Sequence, residues 1–412
     1  MEHRTHARPE LLSVINRTEI LSLLRQKGPL SRAQIARELS ISFPTVTANI
    51  KALMTTGLVL ERGDGTNELG RKSKLLQYNA RRGYVLGGDI GRKNIHIILA
   101  DLVGNPLNEF AIPLDNGVLT ETLLEKLDRQ LDLMLKKAYI QPNHVLSICL
   151  GVPYRIDSVS RADYLNIQGS STQLSLDRYF EQKFHVPVYV ENSINLGALG
   201  EKNYGIGRGF HDIFYLDFGV GIGSALLLDD HLYRGTSGAA GEIAYCIADT
   251  SFKRTTYHDT GLLEESISQA AQDVGLVPDK NGHIQEMKPV FDRAQGGDEK
   301  ATAFLDLLAG YLGVILVNTV ALMNPDAVIV AGGVGTHLLE RYDSFFRQTL
   351  SAHDPVIPHL LCSSLGKRAS SLGAISVVLE HLNQDYTLLE HALKRSTPPI
   401  SFVLEYAGKK YR

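Results

Sequence analysis

The sequence predicts an α/β protein: a small winged helix-turn-helix head, then a larger body built as two lobes. Three observations predict it. Residues 1–80 carry three short helix signals followed by a two-strand hairpin. Beyond them, short apolar runs bounded by glycine turns alternate with long amphipathic stretches, the pattern of strands packed against helices. That alternation occurs twice, the second pass opening on IFYLDFGVGIGSALLLDDHLYRGTSGAAGEIAY at residues 213–245. Hence residues 1–80 are read as the head, 84–198 as a first lobe completed by a C-terminal helix at 383–412, and 199–382 as a second lobe.

In the head, Ile15, Ile20, Leu23 and Leu24 give residues 16–26 the spacing of an amphipathic helix, and Gly28-Pro29 stops it. Ser31 followed by Gln34 forms a capping box for a second helix, whose buried stripe is Ile35 and Leu39. After the turn 40–42 a third helix starts near Phe43 or Pro44, since proline is tolerated in a first turn. Val46, Ile50 and Leu53 face inward on it. Thr45, Thr47, Asn49 and Lys51 are expected outward, where short polar side chains meet base edges and phosphates. A hairpin at 58–62 and 71–78 follows, with Arg71, Lys72 and Lys74 placed for the sugar-phosphate backbone. The predicted DNA-facing set is therefore Ser31, Ser42, Pro44, Thr45, Thr47, Asn49, Lys51, Arg71 and Lys72.

Charge agrees with this division. Residues 1–80 hold 12 Lys+Arg against 7 Asp+Glu, a balance of +5, which leaves −8 on the rest of a chain whose net charge is −3. A basic head on an acidic body suits a nucleic-acid reader joined to a ligand sensor. The start of the chain, MEHRTHARPE, lacks an apolar signal core and no run approaches 18 apolar residues, so a cytoplasmic protein without a membrane span is expected. Cys149, Cys246 and Cys362 are far apart in apolar surroundings and read as reduced core residues rather than a disulfide framework.

After the connector 81–83 come strands at 84–89, 94–101 and 108–113, a helix at 120–138, and strands at 145–150 and 186–190. The last of these delivers Glu191-Asn192-Ser193-Ile194-Asn195 to a helix top. In the second pass Gly219, Gly221 and Gly223 recur at alternate positions, which lets backbone N–H groups approach a ligand. Taken alone, that run also suits a tight hairpin. Glu242 stands after a small-residue loop, at the edge of a cavity. Helices at 264–274 and 300–323 and a strand at 327–331 complete the pass.

These motifs in order (DIG at 89–91, GVP at 151–153, ENSIN at 191–195 with Glu201, GVGIG at 219–223, GTSGAAGE at 235–242, NPDAVIVAGGV at 324–334 and ASSLGAI at 369–375) resemble the ROK family of repressors and sugar kinases. The resemblance runs over about residues 13–380 and implies the two-lobed actin/hexokinase-like (ribonuclease H-like) fold. The head points to the xylose and N-acetylglucosamine repressor branch, because the kinase branch lacks one.

Departures from the family pattern bear on chemistry. Arg92 and Lys93 replace the glycine and hydroxyl of the first phosphate turn, and Val220 replaces the threonine of the second. Ser193 stands where the kinases carry the aspartate general base, and a lone serine cannot take up a proton at neutral pH. No enzymatic activity, catalytic residue or cofactor is expected. A metal is not expected either: Tyr245 replaces the family's zinc-ligand histidine, and Cys246 with His258 are too few for a site. The resemblance places Asn166, Asn192, Ser193, Glu242, Tyr245 and Glu264 around a carbohydrate in the cleft between the lobes, where carboxylates and amides pair with neighbouring hydroxyls. An anionic sugar phosphate at Arg92 and Lys93 is a side expectation.

The function expected is a transcriptional regulator, a repressor of carbohydrate genes, binding double-stranded operator DNA as a homodimer or dimer of dimers. An active sugar kinase with a head, or a regulator governed by a protein partner, are the rival readings.

Overall fold

In the computed structural model, the described residues are 9–65, 73–114, 118–154, 175–219, 221–247, 262–275, 287–352, 356–384 and 386–395. The chain forms two compact units. One comprises residues 1–151, 162–190 and 374–412, and the other 152–161 and 191–373.

The first unit opens with α1 (Pro9–Lys27), which starts earlier than the sequence pattern predicts; Ile15, counted in the predicted stripe, is exposed, as are Leu11 and Leu12 before it. Next come β1 (Leu30–Ser31), α2 (Arg32–Glu38), α3 (Phe43–Thr55), β2 (Val59–Gly65) and β3 (Ser73–Tyr78). The predicted capping box at Ser31 and Gln34 is present, and Ser42 caps α3 with Pro44 in its first turn. The two-residue β1 escapes prediction; it pairs antiparallel with β3, Leu30 opposite Leu76, and gives the wing a third strand. Ile20, Leu21, Leu24, Ile35, Val46, Ile50, Leu53 and Leu76 are at most 2% exposed and form the head's core.

The lobe in the same unit contains β4 (Tyr84–Ile90), β5 (Asn94–Asp101), β6 (Pro106–Pro113), α4 (Glu121–Lys137), β7 (Val145–Val152), α5 (Leu176–Phe184) and β8 (Val188–Asn192). Its sheet runs β6-β5-β4-β7-β8, antiparallel from β6 to β4 and parallel from β4 to β7. Strand β7 is buried along its whole length, as a central strand covered on both faces should be.

In the second unit, α6 (Ser193–Tyr204) precedes β9 (Ile213–Phe218), β10 (Ile222–Leu228) and β11 (His231–Tyr233). Then follow α7 (Leu262–Asp273), α8 (Lys288–Gln295), α9 (Glu299–Met323), β12 (Ala327–Ala331), α10 (Gly333–Ser351) and β13 (His359–Cys362). The sheet order β11-β10-β9-β12-β13 repeats that of the first lobe: three antiparallel strands, then strands parallel to the first. This is the internal duplication that the sequence predicts. Helix α9 is apolar and long enough to cross a membrane by composition. One of its faces, including Phe304, Leu305, Leu308, Leu312 and Leu316, lies in the unit's core beside α7, α8 and α10. Helix α11 (Ala369–Gln384) begins in the second unit and ends in the first, where α12 (Tyr386–Arg395) follows.

Glu201 on α6 is fully buried, and all of its acceptor capacity is used. Its Oε1 accepts from Ser363 Oγ (2.5 Å) and Leu365 N–H (2.9 Å), and its Oε2 from Ser364 Oγ (2.9 Å) and Ile206 N–H (3.0 Å). A buried carboxylate is stable only with such a set. Of the three cysteines only Cys149 is buried; Cys246 is exposed and Cys362 intermediate, so the expectation of three core thiols is corrected. Residues 243–245, just before Cys246, form a short 3-10 turn whose Ile243 and Ala244 are buried.

Glu201→Ala strips four donors of their acceptor and should cost about 3 kcal/mol, with Glu201→Gln costing roughly half because one oxygen remains to accept. Thermal melting of the full chain measures both.

Candidate nucleic-acid interface and ligand site

Helix α3 sorts its residues by face. Val46, Ile50 and Leu53 are fully buried, whereas Phe43, Pro44, Thr47, Ala48 and Lys51 are exposed. Two of the predicted DNA-facing residues turn out otherwise. Asn49 is only 5% exposed and faces the interior: its Oδ1 accepts from Ser13 Oγ (3.1 Å) and Arg17 Nε (3.2 Å), and its Nδ2 donates to the Thr45 carbonyl (3.0 Å). The reason is helical periodicity, since Asn49 lies three residues after Val46 and four before Leu53, on the buried stripe. Ser31 is 7% exposed, its hydroxyl bound to Gln34 within the cap. Ser42, Pro44 and Thr47 are exposed at the helix start, Thr45 is half-buried there, and Lys51 is exposed further along the helix. Arg71 and Lys72 lie outside the described residues. Lys74 is paired with Glu61 (2.8 Å), as is Arg32 (2.8 Å); Lys74 and Arg32 hold the Glu61 carboxyl below the usual range.

Helix α3 is also anchored at its C-terminus and on its buried side. At its C-terminus, the Arg82 Nε–H donates to the Thr56 carbonyl (2.7 Å) and Asn79 Nδ2 donates to the Gly57 carbonyl (2.9 Å). On its buried side, Arg17 both holds Asn49 and lies over the Tyr386 ring of α12, 5.1 Å from the centroid. Nearby, Tyr386 N–H donates to Thr18 Oγ1 (3.1 Å) and Arg25 donates to Asn383 Oδ1 (2.6 Å). Neither Arg17 nor Tyr386 belongs to the predicted site set. Their pairing spans 369 positions and has no local signal.

In the second unit, three consecutive residues of β10 lie against Glu264 and against the chain neighbours of Ser193 and Glu242. The Ile222 N–H donates to Glu264 Oε1 (3.0 Å). The Cα of Gly223 faces Ile194, which follows Asn192 and Ser193; a Cβ there would stand 2.3 Å from the Ile194 Cδ1. Ser224 donates both its N–H (3.1 Å) and its hydroxyl (2.8 Å) to the carbonyl of Gly241, next to Glu242. Gly241 has φ +85°, and a Cβ there would meet the Ser224 carbonyl at 2.3 Å, so only glycine permits this approach. Glu242, half-buried, opens the 3-10 turn that carries Tyr245, which is 37% exposed. Asn166 lies outside the described residues, as does Val220.

Asn192 is an N-cap. Its Oδ1 accepts from the Ile194 (2.8 Å) and Asn195 (3.2 Å) N–H groups, and its Nδ2 donates to the Tyr154 carbonyl (3.0 Å). Beside it, Glu191 Oε1 accepts from Asn195 Nδ2 (3.0 Å), and Oε2 accepts from Arg234 Nε (2.9 Å) and Nη2 (2.7 Å). The residues that start α6 therefore form a fixed polar rim.

One charge at the glycine turn escapes the sequence reading. Asp217, on β9, pairs with Gly223, and its Oδ1 stands against Gly332. Burial pushes its carboxyl up to about 6. Its signal is visible as an acid inside the apolar run IFYLDF. Among the described residues, no three His, Cys, Asp or Glu side chains come together as metal ligands.

Two expected outcomes follow from these contacts. Asn49→Ala should cost about 1–2 kcal/mol by leaving Arg17 and Ser13 without their acceptor. It should also weaken binding to all duplexes alike, as competition binding over several sequences would show; Asn49→Asp, which keeps the acceptor, restores most of the loss. For Asp217, the raised carboxyl means the folded state binds the proton more tightly than the unfolded state. The associated cost is absent below about 3.8, grows as pH rises towards about 6, and is complete above it. Asp217→Asn should therefore raise the melting temperature at neutral pH by a few degrees, on the order of 2–4 °C per kcal/mol recovered, with no gain in acid.

Comparison with known proteins agrees with both parts of the chain. The winged helix-turn-helix DNA-binding profile matches residues 15–59 and the ROK family profile matches residues 85–381. A xylose repressor of Caldicellulosiruptor bescii is 29% identical over 388 residues, covering 90% of this chain and 97% of that protein. The xylose repressor of Bacillus subtilis is 27% identical, covering 89% and 95%. The DNA-binding transcriptional dual regulator NagC of Escherichia coli is 24% identical, covering 93% and 97%. Among solved structures, a ROK family transcriptional regulator homologous to the E. coli MLC protein superposes with a TM-score of 0.65 at 21% identity, covering 93% of this chain and 97% of its own. A ROK hexokinase from Thermus thermophilus superposes at 0.58 with 24% identity, covering 72% of this chain and 99% of its own. The doubled lobe topology, the ordered motifs and a profile match across most of the body lead to one assignment: this chain belongs to the ROK family, and it carries a winged helix-turn-helix head.

Proposed function

We propose that this ROK protein is a sugar-responsive transcriptional repressor whose head binds operator DNA. The observation that carries the reading is the state of α3. One face is exposed at its start, and the opposite face is anchored to the body through Asn49, Arg17 and Tyr386. A recognition helix so placed presents its N-terminal residues to a major groove while its orientation is set by elements outside the head. The relatives named as xylose repressors and as NagC support the same reading.

The effector is a carbohydrate held by Asn192, Ser193, Glu242, Tyr245 and Glu264, with Asn166 completing the set. Support comes from the convergence of Glu264, Gly241-Glu242 and the start of α6 on three neighbouring residues of β10. An effector releases operator only by binding one arrangement of the protein more tightly than another. The regulator acts as a homodimer or dimer of dimers in the cytoplasm, each pair of heads reading two half-sites.

Phosphoryl transfer is not part of this function. Ser193 lacks the basicity to accept the sugar proton.

Full-length protein should enrich a specific duplex from a pool of random sequences, and D-xylose or N-acetylglucosamine should release it and raise the melting temperature. A coupled ADP assay with ATP and these sugars should stay at background. Steady ADP formation would reject the non-enzymatic reading, and failure to enrich any duplex would reject the operator reading.

A further inference from the structure

The hydrogen-bonding groups on α3 are largely committed within the helix. The Thr47 hydroxyl donates its one proton to the Phe43 carbonyl (2.9 Å), and the Thr55 hydroxyl donates to the Lys51 carbonyl (3.0 Å). Ser42 and Thr45 share a hydroxyl–hydroxyl bond (2.7 Å), and Ser42 Oγ also caps the Thr45 N–H (3.2 Å). Asn49, the one carboxamide on α3, is turned inside. Asparagine ordinarily reads adenine, and arginine or lysine reads guanine. The exposed face offers a different chemistry.

Phe43 is the first residue of α3 and is 54% exposed, although the head has a closed apolar core into which a phenyl ring could have been drawn. Thr47 lies one turn on and Lys51 two turns on, along the same stripe. With the Thr47 hydroxyl bonded to the backbone, its methyl is the group left to face outward. Ala48 adds a second exposed methyl beside it. The stripe is thus an aromatic ring, then methyls, then a cation. In the major groove the one apolar group that distinguishes base pairs is the C5-methyl of thymine, and the partners suited to it are phenyl, alanine and threonine methyl groups. Lys51 then falls where a phosphate can meet its ammonium.

We infer that Phe43, with the methyls of Thr47 and Ala48, reads thymine C5-methyl groups, so that the head selects A·T-rich half-sites by apolar contact rather than by a bidentate hydrogen bond. The inference rests on the operator-binding reading above and specifies its chemistry. Phe43 is more than half exposed and is not among the head's buried residues, so its replacement leaves that buried core intact.

The test removes one methyl at a time. A duplex enriched by the wild-type full-length chain is resynthesised with deoxyuridine in place of thymidine in each half-site, which deletes only the C5-methyl. Wild-type affinity should fall about fourfold for each contacted methyl. Phe43→Ala should weaken binding to the thymidine duplex by a comparable factor and lose the deoxyuridine penalty at one contacted thymine while keeping it at those read by Thr47 and Ala48. Phe43→Leu, which keeps an apolar group, should recover part of both the affinity and the deoxyuridine penalty. Salt dependence should be the same for all three proteins, because no phosphate contact is lost. Equal wild-type affinity for thymidine and deoxyuridine duplexes would overturn the assignment, as would a full penalty retained in Phe43→Ala. Either result leaves operator binding standing. If the wild-type chain enriches no duplex, the operator reading falls and this assignment with it.

Discussion

The Glu201 carboxylate, buried without exposure to water, sets the terms for the second unit. An ion in a low-dielectric interior is tolerated only when every lone pair is met, and here two serine hydroxyls and two backbone N–H groups meet them. Those donors come from the turn after α6 and from the loop after β13, so one side chain fixes where a helix ends and how a distant loop folds. Fixing the end of α6 also fixes its beginning. Asn192 and Ser193 therefore start a helix whose position is already determined, beside a Glu191 held by Arg234. A rim of this kind is preorganised, its side chains already held by hydrogen bonds.

The first unit is governed by a comparable economy around Arg17. A single guanidinium satisfies the inward-facing amide of the recognition helix and covers the aromatic ring of α12. Arginine suits the task because its planar group can hydrogen-bond at its edge while stacking on its face. With Arg82 and Asn79 bonded to the carbonyls at the far end of α3, the helix is held by the connector, by α1 and by α12. A displacement of α12 relative to the head is thereby felt at the reading helix without any rearrangement of the head's own core. That provides a physical route by which the state of a body can reach a DNA-binding element, through two packed contacts rather than a long chain of them.

Much of the site's logic could be read from residues alone, and the parts that could not share one cause. Capping signals, the buried stripe of α3 and the apolar strands each depend on neighbours within a few positions, and the structure places them as expected. Asn49 shows the limit. Its residue type suggests base reading, but its place on the stripe decides the matter, and its partners Ser13 and Arg17 are more than thirty positions away. The same holds for the two-residue β1, which exists only because β3 offers it an edge, and for Asp217, whose odd presence in an apolar strand is visible while its surroundings are not.

The sequence by itself determined the head, the doubled lobe and the family, because periodicity, caps and ordered glycine motifs are local properties written in consecutive residues. Only the tertiary structure decided which groups of α3 face outward, which polar side chains are consumed in holding the fold, and which segments lie beside β10. Those outcomes depend on burial and on hydrogen bonds between segments far apart in the chain, and burial is a property of the packed whole.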